Sequence, residues 1–117
     1  MAPKRGDRVA PPAAGGEWEL RFATSEAAKG WEALSQQAAA NTAVAWRELR
    51  ARPQRPTPAG RHHQLKGRLA TAAHRGVDME QWQYEVTGAG RIWYLVDVAN
   101  RTLWLRHAGP GHPKETE

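Results

Sequence analysis

The chain has 117 residues, enough for one domain with a modest core and too few for two. It has no cysteine, which excludes a disulfide framework and a thiolate metal site, and no apolar run approaches the roughly 18 residues of a membrane span. Seventeen Lys and Arg oppose twelve Asp and Glu for a formal +5, and the excess is concentrated between Arg47 and Arg75, where eight basic residues meet one acid. Such a block attracts polyanions, of which nucleic acid is the usual one; a solvated basic surface with no ligand is the plain alternative. The opening Met-Ala-Pro-Lys-Arg-Gly-Asp has charge but no apolar h-region, so it makes a poor signal peptide and the expected location is the cytoplasm.

Residues 1–16 are small, Pro- and Gly-rich and without periodicity, and read as a flexible N-terminal tail. Glu17 to Phe22 alternates polar and apolar, which puts Trp18, Leu20 and Phe22 on one face of a strand. Thr24 or Ser25 then supplies a helix N-cap, and Ala27, Trp31, Leu34 and Ala38 form one helical stripe. Gly30 interrupts that stripe where another element could approach closely. Asn41-Thr42 reads as the junction to a second helix, which turns Thr42, Ala45, Trp46 and Leu49 inward, leaves an Arg-bearing outer face free and is stopped by Pro53.

Three prolines and a glycine make an extended connector from Pro53 to Gly60. In Arg61-His-His-Gln-Leu-Lys-Gly-Arg-Leu69 the two leucines anchor to the core, and the polar residues between them face solvent or a ligand. Ala70 to Met79 is either loop or a short helical turn. The chain is then built around Glu80 to Ala108, three aromatic and β-branched runs separated by Thr-Gly-Ala-Gly and Ala-Asn-Arg, as in an antiparallel meander. Ile92 to Val96 is apolar throughout, as for a strand covered on both faces, whereas Trp82, Tyr84 and Val86 alternate with Gln83 and Glu85. Gly109-Pro-Gly-His-Pro113 cannot continue a strand, and residues 115–117 are a short polar end.

The order strand, helix, helix, basic segment, meander resembles the RelE/ParE superfamily of toxins from type II toxin–antitoxin pairs. The resemblance is carried by His63-Gln-Leu-Lys-Gly-Arg-Leu69, Trp82-Gln-Tyr-Glu-Val86, Arg91-Ile-Trp-Tyr-Leu-Val-Asp97 and Gly111-His-Pro-Lys114. It implies an α+β fold over residues 17–114, with two N-terminal helices packed on a four-stranded antiparallel sheet in the order β-α-α-β-β-β. In activity, the RelE and YoeB branches cut messenger RNA at the ribosome, which implies a metal-independent endoribonuclease that inhibits translation. The ParE branch poisons DNA gyrase and is the alternative, as is a non-catalytic nucleic-acid-binding module using the basic block alone. The resemblance also implies the partners: a cognate acidic antitoxin in a hetero-oligomer, the ribosome and messenger RNA, with no membrane and no cofactor.

Cutting RNA without a metal requires a base for the 2′-hydroxyl proton, cations for the phosphate and an acid for the leaving 5′-oxygen. By resemblance, Arg91 matches the arginine that opens the family's central strand and contacts the scissile phosphate. His63 falls where YoeB-like members place a carboxylate base, Lys66 and Arg68 where RelE-like members stabilise phosphate, and His112 near the C-terminal catalytic His or Tyr. The chain departs from the pattern in having no glutamate at 63 and in ending His-Pro-Lys. RNA contacts are expected from Arg61, His62, Lys66, Arg68, Arg91 and Lys114. Trp93, which shares a face with Arg91, is the one tryptophan of six expected to stack on a base, the other five reading as core. The plain readings are Arg91 paired with Glu85 across the hairpin, and His107 as a sheet residue held by a backbone carbonyl. The five histidines show no metal-ligand spacing.

Overall fold

The computed structural model describes residues 3–9 and 11–111. Strand β1 (Glu19–Phe22) leads into helices α1 (Ser25–Gln37) and α2 (Ala39–Ala51). Strands β2 (His62–Gln64) and β3 (Thr71–His74) follow, separated by a 3₁₀ turn (Gly67–Leu69), and then β4 (Val77–Glu85), β5 (Arg91–Asp97) and β6 (Thr102–Gly109). The architecture is α+β, as expected, but the sheet has six strands rather than four and is not wholly antiparallel. Its order is β1-β6-β5-β4-β2, with β3 also on β4, and β1 runs parallel to β6. The two strands that sequence reading missed, His-His-Gln and Thr-Ala-Ala-His, carry no apolar alternation. They are strands because nine-residue β4 offers a long edge, on which β2 pairs with Trp82–Tyr84 and β3 with Val77–Glu80.

Every residue of β5 is buried. Ile92, Tyr94 and Val96 face the helices, where they join Leu20, Phe22, Trp31, Leu34 and Leu49 in the main core. Trp93 and Leu95 face the opposite way and are covered by two smaller clusters, Leu65 with Leu69 over Trp93, and Met79 with Trp104 beside Leu95. The doubly covered central strand and the leucine anchors are thus as expected, whereas the second cover comes from the β2–β3 segment and not from a separate layer.

Thr24 caps α1, its hydroxyl accepting from the Ala27 N–H at 3.0 Å. The helices join at Ala38, three residues before the expected Asn41 junction. The Thr42 hydroxyl reaches back to the Leu34 carbonyl (3.2 Å), so that a residue expected to begin the second helix instead closes the end of the first. Pro53 lies just beyond the end of α2, and the Arg52 N–H closes that end on the Glu48 carbonyl. At Gly30, α1 lies directly against β6: a Cβ there would fall 1.4 Å from the Ala108 carbonyl oxygen.

Two expectations about the N-terminal half meet a different arrangement. Part of the stretch read as a loose tail runs along the free edge of β1, with Gly6 N–H to Phe22 O (2.7 Å), Phe22 N–H to Asp7 O (3.0 Å) and Val9 N–H to Leu20 O (2.8 Å). Val9 is buried in the main core. Of the arginines expected on the free outer face of the second helix, Arg47 and Arg52 are exposed as expected, whereas Arg50 is only 4% exposed and donates to the Pro11 carbonyl (2.9 Å), the Pro12 carbonyl (2.8 Å) and Glu17 (2.7 Å). Its guanidinium also lies 4.2 Å from the centre of the Trp46 ring. Among the described residues, no helix is long and apolar enough to cross a membrane.

The Gly30 contact gives a direct test. Gly30→Ala should destabilise the protein by about 3 kcal/mol or more, because backbone on both sides must move. Urea unfolding of the two proteins measures it, and a loss below about 1 kcal/mol would contradict the packing described.

Candidate nucleic-acid interface

The face of the sheet turned away from the helices carries the sequence-predicted residues. Register sets His63, Gln83, Trp93 and His107 in one row across β2, β4, β5 and β6. The next row toward the hairpin end holds Glu85, Arg91 and Gly109, and Arg61 abuts it through the Glu85 N–H to Arg61 carbonyl bond of 2.7 Å. The cationic segment and Arg91 therefore share one side of the molecule, with the Leu65, Leu69 and Trp93 cluster packed on the same face.

What each group does there differs from residue to residue. Lys66 and Arg68 are exposed, raised on the 3₁₀ turn between the buried Leu65 and Leu69. His63 sits beside them, and its Nδ1 lies 2.7 Å from the Gly60 carbonyl. A carbonyl oxygen only accepts, so Nδ1 is the donor in this contact. Arg61, exposed, faces Glu85 at 3.9 Å.

Arg91 is 7% exposed and does not present itself to a ligand. Its Nη1 points at the carbonyls of Thr87 (3.1 Å), Gly88 (3.2 Å) and Gly90 (3.1 Å), while Nη2 stands 3.6 Å from Glu85. The pairing with Glu85 across the hairpin is thus present, and the residue read as a phosphate contact is the clamp of the β4–β5 turn. Trp93, read as a stacking platform, is closed off by Leu65 and Leu69, and its indole N–H donates to Gln83 at 2.8 Å. His62, read as an RNA contact, faces the helices and is buried. There Tyr94 donates its hydroxyl proton to the Pro53 carbonyl (2.6 Å) and takes a bond from His62 Nε2 (2.5 Å), which ties the connector to the sheet. His112 and Lys114 lie outside the described residues.

His107 is half-buried, edge-on to Trp93 at 6.5 Å, and its buried Nε2 has no partner among the described residues. Three strand spacings, roughly 14 Å, separate it from His63, too far for the two to act on one phosphodiester. Glu85, placed between Arg61 and Arg91, completes the site. A cavity of about 490 Å³ opens on the helix side of the same edge, walled by Val44, Pro58, Tyr84 and Val86 with Arg61 and Glu85 at its rim. No group of three or more His, Cys, Asp or Glu among the described residues could hold a metal.

The charged forms of the buried rings are disfavoured. Burial lowers the pKa of His62, partly offset by the Pro53 carbonyl; it likewise lowers that of His107, partly offset by the Gly111 backbone. Burial drives the Tyr94 hydroxyl well above its usual value. The exposed Arg61, Lys66 and Arg68, with His63 beside them, are a donor set of the kind that suits a phosphate. No family model, curated protein or solved structure matches the chain.

Two outcomes follow from this geometry. Arg91→Ala should lower unfolding free energy by about 2–4 kcal/mol, because three turn carbonyls and a carboxylate lose their donor; denaturant titration checks it, and an unchanged midpoint would show that the clamp contributes nothing. The second concerns pH. His62 and His107 have folded pKa values below the unfolded value of about 6.5, so the stability they carry is fully present above it and is lost as pH falls through that value. The urea midpoint should be lower at pH 5.5 than at pH 7.5, and a flat or inverted profile would contradict the neutral buried rings.

Proposed function

We propose that the chain is the toxin of a type II toxin–antitoxin pair of the RelE-like kind, an endoribonuclease that cuts messenger RNA at the ribosome. The observation that carries the reading is the Arg61–Arg68 segment. Paired strand and leucine anchors hold it rigidly on the sheet edge, so that Lys66 and Arg68 stand exposed beside His63, whose Nδ1 is turned to the Gly60 carbonyl. In the proposed reaction His63 Nε2 takes the 2′-hydroxyl proton, and the 2′-oxygen attacks phosphorus. The phosphorus–5′-oxygen bond then breaks, leaving a 2′,3′-cyclic phosphate. Lys66, Arg68 and Arg61 stabilise the charge that develops on the phosphate oxygens. The leaving 5′-oxygen receives its proton from an acid, for which resemblance nominates His112. An acidic antitoxin would cover the same cationic edge.

A second reading, a nucleic-acid-binding module without cleavage, is favoured by one observation. Arg91, the expected phosphate contact at the centre of the site, is bound to the turn carbonyls and Glu85.

Primer extension on transcripts after induction separates the two. The wild type should produce breaks within coding sequence, and Lys66→Ala with Arg68→Ala should abolish them while the protein unfolds at an unchanged temperature. His63→Gln should slow cutting by about 100-fold or more. Intact transcripts on wild-type expression, or full cutting by the double variant, would overturn the nuclease reading; DNA damage signalling with intact transcripts would point to gyrase.

A further inference from the structure

The tip of the β3–β4 hairpin carries a group of side chains that the site above does not use. The tip folds over the outer sheet face far enough to reach Trp104 on β6: the His74 ring lies 4.4 Å from the Trp104 ring, tilted by 32°, and the Arg75 guanidinium 5.0 Å from the same ring. Arg75 adopts a left-handed backbone with φ of 53°, a conformation that costs a non-glycine residue of order 1 kcal/mol. Arg106, exposed on β6 where the β5–β6 register shifts, donates to Gln81 at 3.1 Å, which fixes its direction.

The charges in this group are unbalanced. Among the described residues, His74, Arg75 and Arg106 gather near one carboxylate, Asp97, which is already engaged by the Trp104 indole N–H (3.2 Å) and the Asn100 side chain (2.9 Å). The pKa of His74 is lowered, first by burial and then by Arg75 and Arg106, with Asp97 partly offsetting them. His74 Nε2 is buried and has no hydrogen-bond partner among the described residues. Two guanidiniums, one of them on a strained backbone, and an imidazole with an unmet ring nitrogen thus gather around Trp104 and Gln81 of the same row. A guanidinium stacked by one face on an indole still presents its edge donors in a fixed fork, which suits phosphate oxygens.

We infer that His74, Arg75 and Arg106, arranged around Trp104, form a phosphate-binding subsite for single-stranded RNA running across the outer face of the sheet. This rests on the RNA reading above and extends it. The subsite lies across the sheet from the 3₁₀ turn bearing Lys66 and Arg68: Trp104 shares a row with Leu95 and Gln81, roughly 10 Å or two strand spacings away, and the Gln81 amide donates to the Leu69 carbonyl of that turn, so both can engage one strand. The curled hairpin supplies a wall on one side of that path. A flexible single strand can follow the step from the raised hairpin to the sheet, which a stiff duplex cannot.

Fluorescence anisotropy with a labelled 12-nucleotide single-stranded RNA, at several salt concentrations, tests the inference. The variant pair is Arg75→Gly, which removes the guanidinium while relieving the left-handed backbone, and Arg106→Gln. Each should weaken binding by several-fold and make the slope of log affinity against log salt shallower by about 0.7, the value for one lost contact to a single strand. Thermal unfolding should be unchanged or improved in Arg75→Gly, which separates lost contact from lost fold. Salt-sensitive binding by the wild type with unaltered affinity and slope in both variants would overturn the subsite and leave the nuclease reading standing. Absence of RNA binding by the wild type at low salt would overturn both, and equal affinity for a duplex of the same length would overturn the single-strand assignment.

Discussion

A strand that is apolar on both faces must be covered twice, and β5 imposes that demand on the rest of the chain. The helices cover Ile92, Tyr94 and Val96. A domain of this length has no second helical layer to spare, so Trp93 and Leu95 are covered by what remains: Leu65 and Leu69 from the segment after β2, and Met79 and Trp104 from β4 and β6. The need for that cover places a cationic loop against the sheet. Leucines at both ends of Lys66-Gly-Arg68 are held by burial, and the charged residues between them are pushed outward. Packing and ligand presentation at this edge are one arrangement.

The arginines show how little a basic composition says by itself. Arg50 and Arg91 are among the most buried polar residues, each donating to two or more main-chain carbonyls. Arg101 lies over Trp18 and donates to the Gly16 carbonyl. The positive charge available at the outer face comes instead from Arg61, Lys66, Arg68, Arg75 and Arg106, all exposed. Within the basic block of residues 47–75, Arg50 is structural, Arg47 and Arg52 are exposed on α2 and at its end, and Arg61, Lys66, Arg68 and Arg75 are exposed beyond that helix.

Much of the fold was legible because it follows from local patterns: the Thr24 cap, the inward stripes of both helices, the Pro53 stop, the meander and the close approach at Gly30. The strands β2 and β3 were not legible, because His-His-Gln and Thr-Ala-Ala-His become strands only by using an edge supplied elsewhere in the chain. The parallel pairing of β1 with β6 is likewise a property of distant partners. At the site, the shared face of the cationic segment and Arg91 could be read from the order of elements. The role of Arg91 could not, since a strand-opening arginine beside a glycine-rich turn is equally suited to a phosphate and to three carbonyls, and only the bend of the turn decides. The group around Trp104 escaped for a related reason: His74 and Arg75 reach that ring through the curl of a hairpin, which no periodicity encodes.

The position of β6 has a temporal consequence. It lies between β1 and β5, pairing Glu19 with Thr102 and Arg91 with Gly109. The opening strand consequently has no hydrogen-bonded neighbour on that side until β6 has been made, and the loop to be closed runs from Glu19 to Thr102. During translation the helices and the β4–β5 hairpin can assemble as their residues emerge, whereas β1 and β5 are joined only when β6 slots between them. A product truncated before Thr102 would lack the piece that holds both halves of the sheet together.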